Sequence, residues 1–174
     1  MSELLCPHCL QPLRGRYEGD CPHCGRSLEN RNPEGALPLG TQLAGKYTVG
    51  PNLSADGDGL AYRGILNEEK KFVLIKEYFP VTLCNGRSPD GALMPKEGKE
   101  VLFKTSRMDF MDLYDDLHNL TPATGLNTIL DVMEENNTVY AVEESEKGMT
   151  LTHYLSLRSR TLTPAEARTL LQPV

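Results

Sequence analysis

The chain has 174 residues, 39% hydrophobic and 6% aromatic with no Trp, enough for a core of about 100–150 residues and one small appended module. Its formal net charge of −6 and pI near 5.2 argue against nucleic-acid binding, which needs a clustered positive field. No apolar run approaches the roughly 18–20 residues that cross a bilayer. The opening Met-Ser-Glu-Leu-Leu-Cys lacks the basic and apolar regions of a signal peptide, so a reducing, cytoplasmic setting is expected.

Residues 1–28 contain Cys6-Pro-His-Cys9 and Cys21-Pro-His-Cys24. The spacing C-x2-C-x11-C-x2-C brings four thiolates into a tetrahedron around one zinc ion, so Cys6, Cys9, Cys21 and Cys24 are the candidate ligands. The pattern resembles a zinc ribbon. Two disulfides are the competing reading, disfavoured without a secretory signal. Gly25 follows the second pair, where a knuckle backbone often needs positive φ. His8 and His23 read as exposed turn residues, because four cysteines already close the site. A closed site leaves no open coordination position, so the metal is expected to be structural. In the first 32 residues Arg14, Arg16, Arg26 and Arg31 are balanced by Glu3, Glu18, Asp20 and Glu29. The ribbon is therefore expected to contact protein or aid folding rather than hold phosphates. Residues 29–38, polar and broken by Pro and Gly, read as a linker, and the second domain spans 39–174.

Tyr47, Val49 and Leu53 lead as a strand into Ser54-Ala-Asp56-Gly57-Asp58-Gly59, where Asp-Gly is also an ordinary hairpin signal. Residues 60–66 form the next strand and 67–70 a polar turn. Phe72 to Ile75, four apolar residues in a row, read as a strand buried on both faces. Lys76 follows, costly there without a partner, and Glu77-Tyr-Phe-Pro80 is expected to stop the strand. Residues 81–98 hold Asn85-Gly86 and Pro89-Asp90-Gly91 and read as an irregular or hairpin excursion, with Cys84 a plain free thiol. Residues 99–120 are the best helix candidate, with an apolar stripe of Phe110, Leu113, Leu117 and Leu120. Strands follow at Thr128–Met133 and Thr138–Glu143, joined by a turn at 134–137. A turn and helix are expected over 148–155. Another helix starts at Thr163, with Thr as N-cap, Pro164 first and Glu166 third. His118 and His153 read as surface or cap residues.

In this order the segments resemble the small lobe of a protein kinase, in a branch of bacterial serine/threonine-kinase-like proteins. Val73-Leu-Ile-Lys76-Glu-Tyr-Phe-Pro80 stands where the family has V-A-I-K, with Lys76 as the phosphate-pairing lysine. Tyr140-Ala-Val142 and Gly148-Met-Thr-Leu151 match the family's fifth strand and the turn after its hinge. The resemblance implies an α+β fold: a five-stranded antiparallel sheet with a C-helix, then the first helices after the hinge. The chain is expected to stop short of the large lobe that carries the base and the metal-binding Asp and Asn.

Several positions depart from the family pattern. The phosphate loop Gly-x-Gly-x-x-Gly has Ser54 and Asp56 at its first two glycine positions and keeps only Gly59, with Asp58 at its tip. Added Cβ atoms push the backbone off a phosphate, and each carboxylate within about 4 Å of one costs on the order of 4 kcal/mol at an effective dielectric near 20. Leu74 replaces the small residue that leaves room for adenine. Aligned on Phe110 and Leu117, Leu113 takes the place of the glutamate that pairs with the lysine. Asp112, Asp115 and Asp116 read as a solvated helix face, and Asp116 reaches Lys76 only if the helix rotates. Glu143 takes the position that gates the pocket, where a buried carboxylate needs a partner; Lys76 on the neighbouring strand is the expected one. Lys76 and Gly59 are thus read as remnants of a nucleotide site, and ATP with Mg2+ is not expected to bind. The expected role is a zinc-ribbon pseudokinase that is a protein-interaction or regulatory module. Its partner is another protein or a second copy, met through apolar surface that a large lobe would cover. The alternatives are the N-terminal part of an active serine/threonine kinase and a ribbon-led nucleic-acid adaptor.

Overall fold

The computed structural model describes residues 4–55, 59–122, 125–145, 151–158 and 161–172. Asp56, Asp58 and Gly148, singled out in the sequence, lie outside these residues. The N-terminal module is two knuckles of matching design. Leu10 N donates to Cys6 O and Gly25 N to Cys21 O, while Cys6 N donates to Gln11 O and Cys21 N to Arg26 O. Gly25 has φ +70, as the knuckle requires, and Leu10 takes the same left-handed backbone at φ +61. The module's core is small: Cys6, Leu13, Cys21 and Leu28, with Leu4, Cys9 and Tyr17 against it.

The larger unit contains β1 (Gln42–Leu43), β2 (Tyr47–Ala55), β3 (Gly59–Leu66), β4 (Lys71–Tyr78), β5 (Cys84–Arg87), β6 (Leu93–Pro95), α1 (Glu100–Leu120), β7 (Ile129–Glu135), β8 (Thr138–Glu144), α2 (Leu151–Ser156) and α3 (Pro164–Leu171). The main sheet has the order β1-β2-β3-β4-β8-β7, and β5–β6 is a separate hairpin. All of its pairings are antiparallel. Its five long strands are those the sequence predicts, and two-residue β1 adds an edge. The β7–β8 turn places Asn136 and Asn137 at φ +54 and +55, the backbone of a tight primed turn that asparagine tolerates. α3 opens with the expected capping box between Thr163 and Glu166.

Two expectations are corrected. First, β4 ends at Tyr78, within the expected stop at 77–80, but its apolar run is not buried on both faces. Val73, Ile75 and Glu77 are buried, whereas Phe72, Leu74 and Lys76 on the other face are half-buried. Alternate residues of a strand point to opposite faces, so the unbroken apolar run conceals two environments. Residues 35–37 and the β5–β6 hairpin cover the buried face: Leu37 and Leu93 share one core with Val73, Ile75, Tyr62 and Tyr140. Second, only part of the predicted α1 stripe packs: Phe110 lies against the core and Leu117 is half-buried, but Leu113 and Leu120 face outward. Leu113 and Leu120 are 55% and 61% exposed, and Phe103 is the fully buried residue. The helix is set by aromatic contacts to Tyr78, whose ring centroid lies 5.8 Å from Phe103 and 5.6 Å from Phe110.

Residues 29–38 are held against the sheet. Asn32 Nδ2 donates to Leu37 O at 2.8 Å and Gly50 O at 3.2 Å, and Asn32 Oδ1 accepts from Asn52 N at 2.8 Å. Among the described residues no helix is long and apolar enough to cross a membrane.

Candidate functional site

Two clusters carry chemistry. In the first, the sulfurs of Cys6, Cys9, Cys21 and Cys24 all lie within 4.8 Å of one another. Cys6–Cys24 and Cys9–Cys21 stand at 3.9 Å. A disulfide needs about 2.05 Å, whereas tetrahedral sulfurs about 2.3 Å from one metal ion lie about 3.8 Å apart. The spacing fits a shared cation and not two crosslinks. The knuckle turns aim backbone N–H groups at the sulfurs: His8 N donates to Cys6 Sγ and His23 N to Cys21 Sγ, both at 3.4 Å. Burial raises the Cys21 thiol, but the backbone N–H groups of His23 and Cys24 outweigh it and hold the group down at about 6. Burial pushes Cys6 up to about 12. So close a set cannot ionise fully without a positive ion, which is the chemistry of a metal site. Both histidine rings stand outside the set. His8 Nε2 bonds Ser27 O and His23 Nε2 bonds Pro12 O, each at 3.2 Å and each reaching the opposite knuckle.

The second cluster lies on the half-buried face of β4. Lys76 Nζ is 2.6 Å from Glu143 Oε1, and Glu143 is buried. Antiparallel pairing of β4 with β8, which sets Leu74 opposite Glu143 and Lys76 opposite Ala141, brings the two side chains together. Asn127 Nδ2 donates to Glu143 Oε2 at 2.9 Å. On the helix side, Lys76 Nζ lies 5.6 Å from the ring centroid of Tyr114. Burial opposes the lysine's charge, but the Glu143 carboxylate and Tyr114 outweigh it, holding Lys76 above its ordinary value.

Beside Lys76 is a cavity of about 470 Å3 lined by Ser54, Gly59, Ala61, Lys76, Tyr78, Phe110 and Tyr114, among others. Gly59 and Lys76, the predicted remnants, thus share one cavity. Leu113 does not line it; the helix residue that faces the lysine is Tyr114, one position further on. Nor is Lys76 paired with Asp116, which is exposed. Sequence reasoning found the Lys76–Glu143 pair but missed Tyr114 and Asn127. Spacing from Phe103, had its burial been seen, would have shown Tyr114, eleven residues on, about three turns along the same face.

Directly behind Lys76, on the other face, a second polar group was not anticipated. Glu77 is fully buried and pairs with Arg87. Tyr62 Oη donates to Glu77 Oε2 at 2.7 Å, and Leu37 N donates to Tyr62 Oη at 3.0 Å. Arg87 Nε donates to Gly35 O at 2.8 Å, and its NH1 nitrogen to Gly91 O at 3.0 Å. Burial pushes the Glu77 carboxyl up from its ordinary value, against the pull of Arg87.

No protein-family model and no curated protein sequence matches the chain. Among solved structures it is similar to the apo form of PpkA-294, with a TM-score of 0.63 and 23% identity over 72% of this chain and 44% of that one. It is also similar to a double-mutant PknI kinase domain from Mycobacterium tuberculosis, with a TM-score of 0.50 and 15% identity over 78% of this chain and 47% of that one. The chain spans less than half the length of either. The fold is therefore α+β, that of a protein-kinase small lobe, preceded by a four-cysteine cluster suited to a metal ion.

Proposed function

We propose that this chain is a catalytically silent, kinase-like module that works by binding protein, with residues 1–28 as a ribbon built on structural zinc, 29–38 as a connector and 39–174 as the lobe. The observation that carries the reading is the pairing of Lys76 with Glu143. In an active kinase this lysine is held by a helix glutamate and offered to the nucleotide phosphates. Here Glu143, fixed by Asn127, draws it toward the gate of the pocket, and the helix offers Tyr114 in place of a carboxylate. Nucleotide binding would have to displace a close ion pair, and the sequence has Asp56 and Asp58 where the family pattern has a phosphate-loop glycine and the loop tip. Exposed Leu151, Leu155, Leu157 and Leu171 support a protein-facing role, with another protein or a second copy as partner. Five unbridged cysteines suit a reducing, cytoplasmic setting.

The test is a melting curve with millimolar Mg-ATP. No shift is expected. A nucleotide at 100 times its Kd would add about 2.7 kcal/mol of stability, and a shift of that order would overturn the reading. It would instead favour the second one, the N-terminal part of a serine/threonine kinase that transfers phosphate when its large lobe is present. That alternative draws on the retention of Lys76 and Gly59 around one cavity.

A further inference from the structure

We infer that the ribbon is a metal-dependent clamp on β2, the strand that feeds the phosphate loop. The inference needs the four-cysteine site to hold a metal ion and does not depend on the fate of the nucleotide pocket. Two contacts join the ribbon to this strand. Pro7, between Cys6 and His8, lies against Gly50: a Cβ at Gly50 would come 3.3 Å from Pro7 Cβ and 2.3 Å from Arg63 O. Only glycine admits both the neighbouring strand and the knuckle there. Tyr17 makes the second contact. Its ring fills the space beside Gly40, where a Cβ would fall 2.5 Å from Cε2, and its hydroxyl donates to Leu5 O at 2.8 Å, tying it to the first knuckle. Gly40 N in turn donates to Val49 O at 2.8 Å. Both contacts therefore converge on Val49 and Gly50.

From there the path runs toward the cavity. The β2–β3 register is broken between Val49 and Asn52 and again between Asn52 and Ser54. At that break Asn32, four residues beyond the ribbon's buried Leu28, replaces the missing ladder bonds by holding Gly50 O and Asn52 N. Asn52 Nδ2 then donates to Ser54 O at 3.0 Å and Ala61 O at 3.1 Å, and Ser54 and Ala61 line the cavity beside Lys76. The ribbon cannot hold its end of this path unaided. Its core of four buried residues is far below what a module of this size needs without a metal. Loss of the ion would release Pro7 and Tyr17 and leave the irregular half of β2 with only Asn32, Asn52 and its interrupted pairing to β3 to hold it.

The experiment is hydrogen exchange on the whole zinc-loaded chain, before and after chelation, with metal content measured alongside. On chelation, exchange in 49–55 is expected to rise about tenfold or more, while 129–144, remote from the ribbon in the sheet order, is unchanged. Unchanged exchange in 49–55, with 4–28 exchanging freely, would make the ribbon a passenger and overturn the inference. Simultaneous loss of protection in 129–144 would also overturn it, since the ion would then hold the whole lobe. A chain that takes up no zinc would overturn both this inference and the zinc assignment, whereas a metal-loaded chain with an insensitive β2 sinks this inference alone. Tyr17→Ala is expected to keep its metal but show fast exchange in 49–55 regardless of chelator. Should that variant lose the ion, Asn32→Ala, which alters nothing in the ribbon, is expected to give fast exchange at 51–55 with metal bound.

Discussion

Lys76 and Glu77 are neighbours on one strand, and each belongs to an acid–base pair, yet the two pairs are built differently. Lys76–Glu143 lies at the edge of a cavity with the lysine side chain 38% exposed, whereas Glu77–Arg87 has side-chain exposures of 0% and 9%. The first is a contact between two strands, buttressed by Asn127. The second ties the connector through Gly35, the hairpin through Gly91 and the sheet through Tyr62. One side of β4 thus keeps a charge in the wall of a cavity, and the other uses a charge to join three segments into one core. A single residue step along a strand separates a cavity wall from a buried junction, because the pleat sends successive side chains to opposite faces.

The sharpest way to break this comparison is to remove Arg87. Arg87→Met leaves Glu77 buried beside two tyrosines with no cation, and a loss of about 3–5 kcal/mol is expected in urea unfolding. Glu77 already has a raised pKa in the folded state, and losing Arg87 raises it further. A group that binds its proton more tightly when folded favours the native state as pH falls, so the deficit should shrink on acidification toward the ordinary carboxyl value of 4.5. The double variant Glu77→Leu with Arg87→Met is expected to recover most of the loss, because an apolar pair of similar volume needs no compensation. A double variant as unstable as the single one would show that the hydrogen bonds to Gly35 and Gly91, not the charge balance, hold the segments.

The pair on the other face should respond less. Lys76→Met leaves Glu143 buried with Asn127 as its remaining donor, at a cost of about 1–3 kcal/mol. The pH dependence has a definite sign. Lys76 is held above lysine's ordinary 10.5, so its contribution is complete below 10.5 and fades as pH rises through the higher folded value. Denaturant midpoints of wild type and Lys76→Met should differ by a constant amount up to about pH 10 and converge above it. Equal midpoints at neutral pH would mean the pair contributes nothing to stability.

The sequence made one of these pairs legible and hid the other, for physical reasons. Lys76 and Glu143 fall at positions whose neighbours are known from the family pattern, and a carboxylate at a buried site calls for a cation. Glu77 sits inside a run that ends in proline and so reads as a strand terminus, while Arg87 lies in a turn-rich stretch with no periodic signal. Only the folding of residues 84–95 back over the sheet brings them together, a long-range event with no local signature. The ribbon was legible for the opposite reason: four cysteines at fixed spacing define their own geometry. The helix was legible in extent but not in rotation, since Leu113 and Leu120 are as apolar as the residues that pack.

That rotation supplies the smallest expected effects. On α1 the ring of Tyr114 lies over the Lys76 ammonium, whereas Leu113 is 55% exposed. Tyr114→Leu removes a cation–π contact worth about 0.5–1 kcal/mol at a partly exposed site and should move the alkaline limb of the stability profile slightly toward lower pH. Leu113→Glu restores the residue the kinase pattern calls for, but on a face turned from the lysine, and should change stability by no more than about 0.5 kcal/mol. The alkaline limb separates the two alignments. If Leu113→Glu shifts it upward, the helix turns readily enough to offer a carboxylate to Lys76, and the lysine's commitment to Glu143 is weaker than the 2.6 Å contact suggests. If only Tyr114→Leu moves it, the helix is locked by Phe103 and Phe110 against Tyr78, and Lys76 belongs to the sheet.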